Sequence, residues 1–280
     1  MRERKTLGPL IISVILASLV LFAFGCSDDD NGTGSNVTND GQLLLLLHDA
    51  PVDTLAEVWL TVTSVRLIGG WDEDSIAIDD KTVLTDSIRL DLMTLDGVST
   101  ILSMTDVPEG SFSKIRFEVA DPEFVSDGGV VIPSSQIKLV ANGKIDLNFQ
   151  GNLVILPDTV NIVDLDLDLE SSVQINVTGN ERFQLHPQVF VTTSLTTEQT
   201  VLLEGATISA IDITDMYIEI ELPGSTAPVT VKITGATEIF DAADQTIGIV
   251  DLLVGDVVDI EATLDPHSGK ITATEVKVLP

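Results

Sequence analysis

The stretch VWLTVTSVRL, residues 58–67, decides the fold class. Valine and leucine alternate here with tryptophan, threonine and serine, so the side chains follow a period of two. That period matches a β-strand, in which successive side chains point to opposite faces of a sheet, and β-branched residues favour the same structure. The predicted strand is apolar on much of both faces.

The same alternation continues on both sides of this stretch, and no helical period of useful length follows residue 40. Turn signals separate the alternating runs, and Asn142-Gly143 predicts a two-residue hairpin. Many short strands with regular turns are typical of an antiparallel β-sandwich, which we assign to residues 41–195. Only residues 92–102 are expected to form a helical turn or two. The further predicted strands of this domain are residues 42–47, 87–92, 113–119, 136–140, 144–147, 160–169, 173–177 and 183–193.

A second pattern begins after residues 195–200, which carry little that would pack. About five alternating runs follow, with a connecting segment around residues 241–253. Five short strands fit a small closed or half-closed barrel that resembles the OB fold. We therefore expect an all-β protein with an N-terminal sandwich and, at residues 200–280, a C-terminal OB-like β-barrel. The predicted barrel strands are residues 201–211, 216–222, 229–233, 256–263 and 270–278.

The chain is strongly acidic, with 44 Asp and Glu against 14 Lys and Arg among 280 residues and a formal net charge of -30. Such a charge repels nucleic-acid phosphates and anionic membrane surfaces, because binding to phosphate requires Lys and Arg. The sequence also lacks the glycine-rich motifs that cradle phosphates. We therefore exclude nucleic acid as a partner and expect good solubility and association with cations.

The N-terminus has the features of an export signal. Arg2, Arg4 and Lys5 precede an apolar run at residues 7–25. The run ends in Ala23-Phe24-Gly25-Cys26, which resembles the bacterial lipobox, in which small residues precede a cysteine that is diacylated and becomes the new N-terminus. We expect residues 1–25 to be a lipoprotein signal peptide and Cys26 to be lipidated. An uncleaved anchor and an ordinary secretory signal are the alternatives.

The segment after this cysteine, SDDDNGTGSNVTND at residues 27–40, has one apolar residue and cannot pack. Residues 26–40 are therefore predicted to be the lipidated cysteine and a flexible acidic tether, which spans roughly 20 Å as a random coil. Two or more acyl chains hold a protein stably on a membrane. The acidic start also resembles a signal that sends some lipoproteins to the outer face of the outer membrane. The expected location is the bacterial cell envelope, on the outer membrane, with surface exposure favoured.

Carboxylates on predicted loops and on one predicted strand are candidate calcium ligands, because Ca²⁺ takes six to eight oxygen atoms. In residues 164–168 aspartates alternate with leucines, which places three carboxylates on one strand face at intervals of roughly 7 Å. Such a ladder repels itself unless water, a Lys or Arg from a neighbouring strand, or a cation compensates. The alternatives are a solvated polar face and, for the loop carboxylates, hydrogen bonds that cap turns. The candidate ligands are Asp49, Asp53, Asp72, Asp74, Asp164, Asp166 and Asp168.

Trp71 is the candidate for contact with a ligand. It follows Gly69-Gly70 and precedes three acidic residues at 72–74, so we expect it on an exposed loop, where it would contact a sugar or a protein partner. The alternative is that it covers an edge of the core.

The sequence contains few residues in patterns that support catalysis. Cys26 is assigned to the lipid, no G-x-S-x-G elbow occurs, and no His/Cys pair has the spacing of zinc ligands. A glycosidase cleft would need aromatic residues to stack on sugar rings, and the chain has only two Trp and one Tyr. We therefore expect no enzymatic activity, hydrolase activity included.

Two groups of motifs resemble known families. Asp49-Ala50-Pro51-Val52-Asp53, with the strand that follows it and Pro108-Glu109-Gly110-Ser111-Phe112, resembles the domain of unknown function DUF4382 over about residues 41–195. Asp91-Leu92, residues 164–172 and Leu185-His186-Pro187 add to this resemblance, and Phe112 stands where that family usually has tyrosine. Val254-Gly255-Asp256-Val257-Val258 and the run at residues 269–276 are similar to DUF5666 over about residues 201–280. Both resemblances imply β-rich domains of secreted or lipid-anchored bacterial proteins, without an agreed activity.

These observations predict a non-catalytic lipoprotein of the cell envelope. The expected function is a binding or adhesion module for a glycan or an envelope protein, with calcium as a stabilising ion. The alternative is a structural or scaffold lipoprotein that takes no small ligand.

Overall fold

The computed structural model describes residues 40–280, except 51–54, 72–75, 177–181, 194, 224 and 226. The regular structure is almost entirely β, as the alternating sequence predicts. Among these residues the single α-helical turn is α1, Leu169–Ser172, and 3₁₀ turns occur at Leu92–Leu95, Ser134–Gln136, Val140–Gly143 and Ile249–Asp251.

The N-terminal half contains fourteen described strands. They are β1 (Asp40–Ala50), β2 (Leu55–Trp71), β3 (Ala77–Ile78), β4 (Lys81–Leu84), β5 (Ile88–Asp91), β6 (Ser99–Pro108), β7 (Gly110–Ser126), β8 (Val131–Ile132), β9 (Ile137–Leu139), β10 (Lys144–Ile155), β11 (Val160–Asp168), β12 (Val173–Asn176), β13 (Arg182–Leu185) and β14 (Gln188–Thr192).

Two sheets of this half face each other as a β-sandwich. One has the order β14-β11-β1-β6, and the other has β10-β7-β2 with β3, β4 and β5 along the free side of β2. Their facing side chains form one hydrophobic core, in which Leu45 of β1 and Val62 of β2 are fully buried. The pairings within the two sheets are antiparallel except for β1 with β11, which run parallel. Three short strands of the same half form a third, smaller sheet with the order β12-β13-β9.

The C-terminal half forms a closed five-stranded barrel. Its strands are β15 (Gln199–Asp212), β16 (Tyr217–Glu221), β17 (Val229–Lys232), β19 (Val257–Asp265) and β20 (Lys270–Val278), and the short β18 (Glu238–Phe240) pairs with the later residues of β20. Neighbours around the ring are β15, β16, β17, β20 and β19, which closes on β15. The pairing of β17 with β20 is parallel and the others are antiparallel. This is the OB-like barrel that the sequence predicts.

Strand β1 belongs to both halves. All five leucines at residues 43–47 are fully buried. Leu43, Leu45 and Leu47 lie in the sandwich core, whereas Leu44 and Leu46 lie in the core of the barrel. Because alternate side chains of a strand point to opposite faces, a run of leucine at every position fits a strand covered on both sides. Each fully buried leucine contributes about 1.5–3 kcal/mol of transfer free energy.

Backbone and side-chain hydrogen bonds also join the two halves. Strand β15 pairs with β6 in parallel, and the Thr100 hydroxyl donates to the Leu202 carbonyl at 3.0 Å. The Ser225 hydroxyl donates to the Met104 carbonyl at 2.7 Å. The predicted division near residue 200 therefore separates two hydrophobic cores that share a continuous sheet within one compact unit, Thr38–Pro280.

Two local predictions were wrong. Asn142-Gly143 does not join a hairpin, because β9 pairs with β13 and β10 pairs with β7. Ala141, Asn142 and Gly143 all have positive φ and turn the chain between two different sheets. The second error is that β6, Ser99–Pro108, was not predicted, although the helical turn expected within residues 92–102 is confirmed. A 3₁₀ turn ends at Leu95, and the strand begins at Ser99.

Candidate functional site

The predicted site residues that the structure describes lie in two places. One is a carboxylate cluster on β1 and β11, and the other is a cleft beside Trp71. In the cluster, the parallel register of β1 and β11 sets His48 opposite Asp166. His48 Nε2 lies 3.2 Å from Asp164 Oδ2, and His48 Nδ1 lies 3.5 Å from Asp166 Oδ1. Both ring nitrogens therefore face a carboxylate, an arrangement that favours the doubly protonated imidazolium.

The electrostatics of the cluster are consistent with a charged histidine. The hydrogen bond with Asp164 raises the pKa of His48, burial of the ring opposes this, and the charges of Asp164, Asp166 and Asp49 raise the pKa further. Asp164 is only 7% exposed, and its Oδ1 atom has no hydrogen-bond partner in the described part of the chain. The nearby positive charge offsets part of the cost of burying this carboxylate.

The predicted acidic ladder is thus interrupted by a cation from the neighbouring strand. Such a ladder needs compensation, which was expected from water, a Lys or Arg, or a cation, and it is a histidine that supplies it. The relevant signal was His48 itself, two residues after the buried leucine at 46 on a strand that pairs with β11. The pairing could not be deduced from the local sequence.

Asp49 and Asp168 support the backbone at the end of these strands. Asp49 Oδ1 accepts a hydrogen bond from the Leu169 amide at 3.1 Å, and Asp49 is buried. Asp168 Oδ1 accepts from the Ser171 amide at 2.8 Å and caps α1, and this bond lowers the pKa of Asp168. For Asp49, a hydrogen bond to a loop amide was the alternative to calcium binding.

The calcium prediction has limited support from this geometry. Within the described ranges, no group of three or more His, Cys, Asp or Glu is arranged to hold a metal ion. An ion that used Asp164 and Asp166 together would have to displace His48, which lies between them. Asp53, Asp72 and Asp74 are outside the described residues, as is Cys26. Calcium binding by the remaining set stays a prediction.

The second place is a cleft at the end of β2. Trp71 is 48% exposed and lines this cleft, of about 140 Å³, together with Val154 and Leu156. Both aliphatic side chains are also about half exposed, at 54% and 53%. Large apolar side chains that share one exposed hollow are typical of a contact surface. We call this site the Trp71 cleft.

The rim of the Trp71 cleft is polar on one side, where Glu109 and Ser111 line it. Strand pairing places these groups, since Ser111 lies opposite both Trp71 on β2 and Val154 on β10. The arrangement offers an aromatic face, aliphatic walls, a carboxylate and a hydroxyl. The sequence indicated Trp71 as exposed but missed Val154 and Leu156, because residues 153–156 are a continuous apolar run whose exposed members cannot be identified until the edge position of β10 is known.

Other residues of the motifs described above hold the fold. Asp91 Oδ1 accepts hydrogen bonds from the amides of Val58 and Met93, at 3.0 and 3.2 Å. Phe112 is fully buried in the sandwich core. The Ser172 hydroxyl accepts from the Gln188 amide at 2.7 Å. In this chain these positions act by positioning backbone and filling the core.

A β-sandwich joined to a closed five-stranded barrel is the class of protein that these observations define. The chain belongs to the DUF4382 family, a domain of unknown function whose family model matches residues 40–187, just over half of the chain. The model of a second domain of unknown function, DUF5666, matches residues 205–277, which cover most of the barrel. Both resemblances drawn from the sequence are confirmed, in the expected order. No curated protein and no solved structure gives a significant match to the chain.

One further property bears on the membrane. Among the described residues, the helices are too short and not apolar enough to span a bilayer.

Proposed function

We propose that this protein is a non-catalytic, lipid-anchored binding module of a bacterial cell envelope, which takes a glycan or an envelope protein at the Trp71 cleft. The observation that carries the proposal is the exposure of Trp71, Val154 and Leu156 around one hollow. Tryptophan in such a position contributes much of the energy at binding surfaces, because its large ring buries apolar area with little loss of conformational freedom.

The position of the cleft relative to the predicted anchor also supports the proposal. The proposed tether, residues 26–40, joins the described chain at the start of β1. There Gly41 packs so closely on Leu156 that a Cβ atom would lie 2.2 Å from the Leu156 carbonyl oxygen. Leu156 also lines the Trp71 cleft, so the cleft lies close to the start of β1, where the proposed tether would join the sandwich.

The binding experiment is a screen of glycans and envelope proteins against a soluble fragment, residues 27–280, which contains the whole compact unit. Trp71→Ala is expected to bind the ligand identified in the screen at least tenfold more weakly than wild type. The melting temperature of this variant should stay within about 2 °C of wild type, since exposed side chains contribute little to stability. Phe190→Ala is the control, because Phe190 is another exposed aromatic residue, on β14, away from the cleft. Equal binding by wild type and Trp71→Ala would exclude this cleft.

The anchor is tested separately on the full chain. Cys26→Ser is expected to abolish incorporation of radiolabelled palmitate into the protein, because the lipid attachment point is removed. Continued incorporation of palmitate by the variant would contradict the lipoprotein assignment.

One observation favours the alternative, a scaffold lipoprotein. Four apolar side chains between the 3₁₀ turn Ile249–Asp251 and the start of β19 are exposed by 40–70%: Val250, Leu253, Val254 and Val257. This ridge on the barrel would suit a contact with another envelope protein. If Leu253→Ser/Val254→Ser releases the protein from its envelope partners and Trp71→Ala does not, the scaffold function is favoured.

A further inference from the structure

A cavity of about 280 Å³ lies where the barrel meets the sandwich, apart from the Trp71 cleft. Its apolar lining comes from both halves of the molecule, with Leu44 and Met104 on one side and Val229 and Ile271 on the other. Leu44, Val229 and Ile271 are at most 3% exposed. The cavity thus has a preformed apolar floor, which is the usual basis of a small-molecule site.

The polar lining of this cavity is basic, although the protein is acidic. Lys232, at the end of β17, and Lys270, at the start of β20, both line it, and Tyr217 of β16 lies beside them in the sheet. The Lys232 ammonium donates to the backbone carbonyl of Asp215. That contact fixes the position of the lysine without neutralising its charge.

The absence of ion pairs at these lysines distinguishes them. Six described Lys and Arg side chains form ion pairs with carboxylates: Arg66, Arg89, Lys114, Arg116, Lys144 and Lys277. Four described lysines have no carboxylate oxygen of the described residues within 4.0 Å, and two of these four share this cavity. In a chain with about three carboxylates for each cation, two unpaired ammonium groups at one apolar hollow form an attractive site for an anion.

Tyr217 contributes a hydroxyl group. The charge of Asp212 raises the pKa of Tyr217, with smaller contributions from burial and from Glu219 and Asp215. The phenol is therefore protonated at neutral pH and can donate a hydrogen bond. The same three carboxylates and the net charge of the whole molecule oppose any anion at this site, and they oppose most strongly one with several negative charges, so the two lysines suit a single charge best.

We propose that this cavity binds a small amphipathic monoanion, such as a carboxylate on a compact apolar body. The carboxylate lies between Lys232 and Lys270 with the Tyr217 hydroxyl as a further donor, and the apolar body packs on Leu44, Val229 and Ile271. The site is independent of the Trp71 cleft, and either can exist without the other.

The test uses Tyr217, the only tyrosine of the chain, as a reporter inside the cavity. Fragment 27–280 is labelled with 3-fluorotyrosine, so that one ¹⁹F resonance reports on the site. Four compounds are titrated: octanoate, 3-phenylpropionate, 1-octanol and inorganic phosphate. Octanoate and 3-phenylpropionate separate an aliphatic from an aromatic source of the same anion chemistry, 1-octanol has the chain without the charge, and phosphate has charge without an apolar body.

At least one of the two carboxylates is expected to shift the resonance with saturation, at a concentration at least tenfold below that needed for 1-octanol or phosphate. The double variant Lys232→Gln/Lys270→Gln should raise the half-saturation concentration of that carboxylate at least tenfold. Its half-saturation concentration for 1-octanol should stay within twofold of wild type, and this unchanged response shows that the variant is folded. The matched control is Lys81→Gln/Lys138→Gln, which neutralises the other two lysines without ion pairs and should change nothing. A response to 1-octanol or to phosphate as strong as that to the better of the two carboxylates, or no response to either carboxylate, would overturn the proposal.

Discussion

At the scale of single residues, the most consequential contact is that of His48 with two carboxylates. The raised pKa of His48 links the stability of the fold to pH. In the unfolded chain the pKa returns to about 6.5. The contribution of the imidazolium is therefore complete below pH 6.5 and is lost as pH rises through the higher pKa of the folded state.

His48→Gln is accordingly expected to lower the free energy of unfolding by about 1 kcal/mol below pH 6.5, which corresponds to about 2–4 °C in melting temperature. This is at the low end for a charge-assisted hydrogen bond, because the His48 side chain is 32% exposed. The difference from wild type should shrink as pH increases from 6.5 to 9. The measurement is a series of thermal melts between pH 5.5 and 9.

His267→Gln is the control for that series, since His267 lies in the exposed turn between β19 and β20. It should leave the pH profile of wild type unchanged. A loss of stability in His48→Gln that is the same at every pH would show that the ring acts only by packing.

Residue types alone predicted some parts of this site and not others. Trp71 was recognisable because glycines and acidic residues flank it. The partner of Asp164 was not recognisable, because His48 and Asp164 are more than a hundred residues apart in sequence and meet through the parallel pairing of β1 and β11. Local patterns carry no information about which strands pair.

At the scale of secondary-structure elements, the hairpin of β19 and β20 is fitted closely against the sandwich. Gly269 in its turn has φ +66°, and a Cβ atom there would lie 2.8 Å from both Cβ and Cγ1 of Val160 on β11. Gly205 on β15 has a similar φ of +63°, but nothing lies within 4 Å of the Cβ that it would carry. Alanine substitution at the two glycines therefore distinguishes backbone strain, which both variants have, from steric overlap, which only the Gly269 variant has.

Gly205→Ala should therefore lower the free energy of unfolding by about 1–2 kcal/mol, the usual penalty for a side chain in left-handed conformation. Gly269→Ala should lower it by a further 1–3 kcal/mol or so, because the methyl group overlaps Val160. Chemical denaturation of both variants measures the difference. In the Val160→Gly background, which removes Cβ as well as both γ carbons, that difference should fall by at least half, and an unchanged difference would mean that the hairpin does not press on β11.

Strand positions were largely predictable from alternation. The misassigned Asn142-Gly143 turn shows that the pairing of strands was not. A dipeptide determines a local backbone conformation, here confirmed by positive φ at both residues. It does not determine whether the chain returns along the same strand. Since β9 and β10 join different sheets, tertiary pairing overrode the hairpin signal.

At the scale of the whole molecule, the five leucines of β1 connect two cores that the sequence indicated as separate domains. Leu45 faces the sandwich and Leu46 faces the barrel, and both are fully buried. Removing either side chain leaves a cavity that costs about 2–5 kcal/mol. Because one strand serves both cores and β6 pairs with β15, we expect that neither half stays folded when the other unfolds.

The aromatic residues provide a separate probe for each half. Both tryptophans, Trp59 and Trp71, are on β2 of the sandwich, and Tyr217 is on β16 of the barrel. Trp fluorescence and the ¹⁹F signal of 3-fluorotyrosine should report one coincident thermal transition in fragment 27–280. Leu45→Ala and Leu46→Ala should each lower both signals' midpoints together, by about 5–15 °C. Val131→Ala, which truncates an exposed side chain, is the control and should leave both midpoints in place. A different outcome is that Leu46→Ala lowers the midpoint of the Tyr217 transition only and Leu45→Ala that of the tryptophan transition only. The halves would then be independent domains, and the shared strand would join them without coupling their stability.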